Sequence, residues 1–131
     1  MMLRYFTDKE LQCPSGGTVK LAEGFGQKLD ELRALLDEPM ILTSACRTSA
    51  HITWLLERGY PASENSFHLI DNPKYGTDTC AVDVSVPNGS YRKVLIKAAL
   101  EEGWTVGVAK SFIHLDRRSD YTTLSQIVYV Y

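Results

Sequence analysis

Cysteine is scarce in this chain: Cys13, Cys46 and Cys80 are an odd number at wide spacing. No Cys-x-x-Cys pair occurs, which argues against a cysteine zinc ribbon, and an odd count argues against a dedicated disulfide framework. The three are read as reduced, buried small residues; the functional alternative puts Cys46 or Cys80 near a metal. An excess of charge of one sign is also lacking. Fourteen basic and 16 acidic residues give a net charge of −2, so no basic patch argues for nucleic acid. No apolar run approaches the ~20 residues of a membrane span. Met1-Met2-Leu3-Arg4-Tyr5-Phe6 lacks the charged and apolar regions of a signal peptide, so synthesis in the cytoplasm is expected. Repeats, low-complexity tracts and charge blocks are missing as well. Histidine is limited to His51, His68 and His114, and two of these three carry the strongest signal in the chain.

What is present describes one α+β domain over residues 1–131, a small antiparallel sheet with helices packed on it. The 131 residues, 44% apolar and 23% charged, suffice for a hydrophobic core. Leu21, Phe25, Leu29, Leu32 and Leu36 recur at helical spacing, which predicts a helix from a Thr18 cap to Leu36, ended by Pro39. Met40 to Ser44 is a strand candidate. A second helix runs from a Ser49 cap to Arg58 and stops at Gly59; His51 inside it is structural or solvent-facing. Pro61 to Thr79 is rich in turn residues. Ala81 to Val86 alternates, with Val82, Val84 and Val86 on one face and Asp83 on the other, as in a half-buried strand turned toward a cleft. A third helix extends from a Ser90 cap to Glu102, stopped by Gly103. Trp104–Val108, Phe112–Asp116 and Gln126–Tyr131 complete the strands. Trp54, Tyr60, Tyr75 and Trp104 are packing residues on this reading, with Trp104 and Gly107 able to line the cleft and Tyr75 able to cover it.

His68, Asp83 and His114 lie in Ser66-Phe67-His68, Ala81-Val82-Asp83-Val84 and Phe112-Ile113-His114-Leu115-Asp116. Two imidazoles and a carboxylate form a mixed N/O set that suits zinc, and three protein ligands leave a fourth position for water. Each residue has a plainer reading: a histidine in a half-apolar segment is usually structural, and Asp83 could cap a loop or pair with an arginine. Aspartate is nevertheless depleted in strands, so its place between valines needs a reason that a metal supplies.

The same motifs occur in a recognisable order. Ile41-Leu42-Thr43-Ser44-Ala45-Cys46-Arg47 ends in Ser-x-x-Arg, followed by Ser-x-His, Ala-x-Asp and Phe-Ile-His-Leu-Asp. With Tyr5-Phe6-Thr7-Asp8-Lys9-Glu10-Leu11 at the start, this order resembles the zinc D-Ala-D-Ala peptidase family of the Hedgehog/DD-peptidase fold. The likeness spans Tyr5 to Arg117 and is nearest the small phage and prophage peptidoglycan peptidases. It departs in two places. The family usually has His-x6-Asp, whereas Asp83 comes 15 positions after His68; the extra Ile70-to-Asp78 stretch reads as a loop, which lengthens at small entropic cost. Many members also carry an acid three residues before the last histidine, where this chain has Ser111.

The resemblance implies zinc on His68, Asp83 and His114, and a peptidoglycan stem peptide as substrate. Arg47 then holds a peptide carbonyl or carboxylate, against a plain surface role, and Ser66 contacts substrate, against a loop hydrogen bond. A guanidinium fork suits both carboxylate binding and a developing oxyanion. Asp116 has three readings: general base, acceptor of the free ring N–H of His114, or surface partner of Arg117 or Arg118. As residues two apart on a strand, His114 and Asp116 share a face, with room for water on the metal to bridge them. Three functions compete: a zinc peptidase (carboxypeptidase or endopeptidase), a non-catalytic wall-binding or virion structural module on the same fold, and an unrelated α+β domain with structural histidines. A wall enzyme without a signal peptide needs delivery at lysis or in a virion. A monomer is the default expectation.

Overall fold

In the computed structural model, residues 3–131 are described. Within them five helices and five strands follow in the order α1 (Asp8–Leu11), α2 (Phe25–Leu36), β1 (Leu42–Ser44), α3 (Ser49–Glu57), β2 (Ala81–Ser85), α4 (Gly89–Glu101), β3 (Thr105–Val108), β4 (Phe112–Asp116), α5 (Arg118–Tyr121) and β5 (Val128–Val130). The strands form one sheet in the order β1-β2-β4-β3-β5. The class is α+β, but the sheet is mixed. Neighbours pair antiparallel except β3 and β5, which run parallel, with Val106 opposite Val128 and Val108 opposite Val130. After β4 the chain passes through α5 and an irregular stretch before entering beside β3. Ile127 N–H donates to Thr105 Oγ1, and Gln126 Nε2 donates to the Leu100 and Trp104 carbonyls, fixing that entry.

The helix expected over Thr18–Leu36 begins only at Phe25. Thr79 N–H donates to the Lys20 carbonyl and Ala22 N–H to the Thr79 carbonyl, so the chain around Leu21 is held extended against the loop before β2. Gly24, left-handed at φ 80°, then turns the chain into the helix. Leu21 still packs on the core, so the apolar stripe crosses a boundary that periodicity alone does not mark. The other two caps shift by a residue or two. Thr48, not Ser49, caps α3 by accepting from His51 N–H, and Asn88, not Ser90, caps α4 by accepting from Tyr91 N–H. In each case the cap is the last residue still in extended backbone, as a side-chain acceptor at a helix start requires.

Strand alternation sorts the sheet into two faces. Val82, Val84, Val106, Ile113 and Leu115 are fully buried in a core shared with Phe25, Leu29 and Leu32 of α2 and Leu95 and Ala99 of α4. Trp104 closes this core, edge-on to Phe25, so it does not line the cleft. On the opposite face one row crosses all five strands: Ser44 pairs with Asp83, Asp83 with His114, His114 with Gly107, and Gly107 with Tyr129. β2 is not half-buried as expected. The 45–80 segment covers its other face, tied down by Cys80 N–H to the Phe67 carbonyl and Arg47 N–H to the His68 carbonyl. Among the described residues no helix is long and apolar enough to cross a membrane.

Candidate metal centre

Asp83 and His114 face each other on β2 and β4, so the antiparallel register itself sets their spacing. His68 reaches them from the covering segment. Its backbone is clamped on both sides: its carbonyl accepts from Arg47 N–H at 2.8 Å and from Thr79 Oγ1 at 2.9 Å. The long stretch between His68 and Asp83 is a built loop organised by Asn72, which is 1% exposed. Asn72 Nδ2 donates to the Asn65 and Ser66 carbonyls, and its Oδ1 accepts from Lys74 N–H and Tyr75 N–H. The insertion closes on itself and leaves the ligand positions together. Tyr75 belongs to this loop, stacked on Phe67 at 5.0 Å.

His68 Nε2 lies 3.2 Å and His114 Nδ1 3.1 Å from Asp83 Oδ1. One ligand atom from each of the three side chains falls within 4.8 Å of the others, and all three residues are buried. A tetrahedral site with bonds of ~2.0–2.1 Å needs ligand atoms about 3.3 Å apart, close to these separations. The outer ring nitrogens are both occupied. His68 Nδ1 is 2.8 Å from the Ala45 carbonyl and His114 Nε2 is 2.7 Å from Asp116 Oδ2. A carbonyl only accepts, so His68 carries its proton on Nδ1 and turns a bare lone pair on Nε2 toward a carboxylate oxygen. Burial is the largest influence on His68 and lowers its pKa, which keeps that ring neutral. A cation shared by both would relieve two facing lone pairs at 3.2 Å. The group can therefore hold a metal ion, by the chemistry of its donors.

Electrostatics around the triad point the same way. Burial pushes the Asp83 carboxyl up, but its close contacts with the His114 and His68 imidazoles outweigh it and hold the group far below the usual carboxylate range. Burial likewise pushes His114 down, and contacts with Asp116 and Asp83 outweigh it to raise the imidazole.

Asp116 is 0% exposed, with both oxygens consumed. Oδ2 accepts from His114 and from Arg118 Nη2 at 2.8 Å, while Oδ1 accepts from Arg118 N–H at 2.9 Å and Arg118 Nε at 3.0 Å. It lies behind His114, in direct contact with no water between, and outside the lining of the cavity in front. Of its three sequence readings, the acceptor of the His114 ring N–H is the one that describes this contact. Its ion pair with Arg118 is buried on the Asp116 side, which corrects the surface-pair reading.

The cavity holds about 720 Å³ and opens over the triad. Arg47 lines it, with Nη2 3.8 Å from Asp83 Oδ2. Ser66 lines it too; its hydroxyl oxygen accepts from His68 N–H at 3.1 Å, which leaves its own O–H free to donate. His51 sits apart, its Nδ1 2.7 Å from Ser15 Oγ and its ring stacked on Trp54. All three cysteines are buried and free. Reading the sequence missed the Ala45 carbonyl, the Ser44 hydroxyl (buried beside Asp83 without a hydrogen-bond partner), and the pair Tyr129 and Tyr131; Arg118 was named, as a surface partner of Asp116. For Tyr129 and Tyr131 a signal existed, since alternation in the last strand puts both on one face. No family model, curated protein or solved structure matches this chain.

Proposed function

We propose that this chain is a zinc peptidase of the Hedgehog/DD-peptidase type that cleaves a peptide bond in peptidoglycan stem peptides. The observation that carries the reading is the buried His68–Asp83–His114 group, whose inward-facing atoms are acceptors spaced for a tetrahedral cation. Mixed imidazole and carboxylate donors suit zinc. The ordered Ser-x-x-Arg, Ser-x-His, Ala-x-Asp and Phe-Ile-His-Leu-Asp motifs supply the substrate class by resemblance. A bound zinc ion would polarise a carbonyl and acidify a water.

The remaining residues bind and orient. Ala45 and Asp116 hold the two imidazoles in the tautomers that present Nε2 of His68 and Nδ1 of His114. Arg47, beside Asp83 and facing the cavity, offers a fork for a peptide carboxylate or carbonyl oxygen. Ser66 adds a hydroxyl donor. Delivery to the wall, at lysis or in a virion, belongs to the same proposal.

One observation favours a second reading, a metal-bearing wall-binding or virion module without turnover. Among the residues lining the cavity Asp83 is the only acid, so no second carboxylate stands ready as a base. Zinc content of the purified protein, by elemental mass spectrometry, comes first, followed by release of free amine or D-alanine from stem-peptide substrates. Near one zinc per chain with chelator-sensitive cleavage is the expected result. Zinc without cleavage identifies the binding module. No zinc after refolding with excess metal overturns both and leaves structural histidines.

A further inference from the structure

Tyr129 on β5 and Tyr131 just past its end, still bonded through its N–H to the Val108 carbonyl, alternate with Val128 and Val130, so both rings fall on the face that carries the triad. The row His114–Gly107–Tyr129 explains their lean. Gly107 has no side chain, and the phenol end of Tyr129 rests over its Cα; a Cβ there would lie 2.6 Å from Tyr129 Cζ. Tyr129 thereby reaches across β3 to His114, ring centroids 5.9 Å apart. One step along the strand Tyr131 repeats the arrangement against Phe112, at 5.1 Å. The two phenols are 5.6 Å apart by their ring centroids and both line the cavity. Arg118, fixed on Asp116, stands over the Tyr129 ring at 5.7 Å. A phenol of ordinary pKa keeps its proton near neutrality and remains a donor.

We propose that the Tyr129 and Tyr131 hydroxyls form the donor wall of this site, hydrogen-bonding the oxygen of a ligand held at the triad. The proposal rests on the metal reading given above and deepens it. A cavity with no acid besides Asp83 still has to stabilise negative charge on an oxygen beside the metal, and two neutral phenols opposite Arg47 do so by donating hydrogen bonds. Neither phenol transfers a proton; each O–H bond stays intact throughout. Because Tyr131 is exposed and Tyr129 partly buried, Tyr129 acts on the oxygen nearest His114 and Tyr131 on the outer part of the ligand.

Cobalt-loaded protein titrated with acetohydroxamate, followed by the visible cobalt bands, tests this without relying on turnover. Tyr→Phe keeps ring packing, so Y129F, Y131F and the double variant are compared with the parent at equal cobalt occupancy. A hydrogen bond to a charged oxygen corresponds to about tenfold or more in affinity. The expected result is a loss of about tenfold in hydroxamate affinity for Y129F and more for the double variant, with cobalt affinity unchanged. If a peptide substrate is cleaved, kcat falls by a similar factor while KM holds. Equal hydroxamate affinity in parent and double variant overturns the donor wall and leaves the metal site standing. Failure of the parent to bind cobalt at all overturns the metal reading and the donor wall together.

Discussion

Replacing Asp116 by asparagine separates the two chemical roles open to that residue. The carboxylate accepts on both oxygens: Oδ2 from His114 Nε2 at 2.7 Å and Arg118 Nη2 at 2.8 Å, Oδ1 from Arg118 N–H at 2.9 Å. An amide preserves the shape but brings two hydrogens where acceptors are needed. Turned to accept from His114, its NH2 faces the Arg118 backbone N–H. Turned to accept from Arg118, it donates to His114 Nε2 and drives the ring proton to Nδ1, the atom that faces Asp83. Loss of a hydrogen bond to a charged group costs about 1.5–3 kcal/mol. Arg118, left without its buried counter-charge, takes the destabilisation toward ~3–5 kcal/mol. Loss of a partner that orients a ligating histidine weakens metal binding about 10- to 100-fold. Zinc affinity by competition with a chromophoric chelator, and urea unfolding of the metal-free protein, measure the two effects. Both quantities are expected to fall. Zinc affinity within about twofold of the parent refutes the positioning argument. If affinity holds while cleavage drops on the ~10²–10⁴-fold scale of general-base loss, Asp116 is the base after all.

Saturating zinc should stabilise the parent against urea by about 4 kcal/mol at a thousandfold excess over Kd; H68A/H114A should show no such gain. In the metal-free protein, Asp83 and Asp116 have carboxyls held below their ordinary 3.8. A depressed folded value means the stabilisation is complete above that pH and is lost as pH falls through the folded values, so chelated protein should melt progressively lower in acid. His114, raised in the fold above 6.5, works in the other sense: its contribution is present at low pH and fades as pH rises through its folded value. Zinc loading should release protons increasingly as pH falls and His114 becomes protonated, read as a buffer-dependent heat in calorimetry; no release at any pH would contradict a proton on His114. G107A forces the Tyr129 phenol aside, and a stability loss of about 1–3 kcal/mol is expected in thermal melts.

Local chemistry was legible without coordinates. The three candidate ligands stood out because a carboxylate between valines and histidines flanked by apolar residues conflict with burial unless something pairs them. Phe112–Asp116 was read to the residue, since its alternation has a single consistent register. The Thr7-Asp8-Lys9-Glu10 capping box that starts α1 was also visible as a pattern, although no helix was drawn there. The start of α2 was misread because Leu21 obeys helical spacing while its neighbours Lys20 and Ala22 are hydrogen-bonded to Thr79, the bridge partner of Leu21 58 positions later. The parallel pairing of β5 was invisible for the same reason: strand direction depends on where a connection lets the chain re-enter, not on the residues of the strand.

By itself the sequence determined which groups could do chemistry, because side-chain type and period fix what is buried, what is charged and which residues share a face. Tertiary structure alone decided how they are used. Register brought Asp83 opposite His114, the Asn72-centred loop brought His68 back to both, and the pair with Arg118 fixed the Asp116 carboxylate against the outer ring nitrogen of His114. Those outcomes rest on hydrogen bonds between residues far apart in the chain, and such bonds leave no periodicity in the sequence to read.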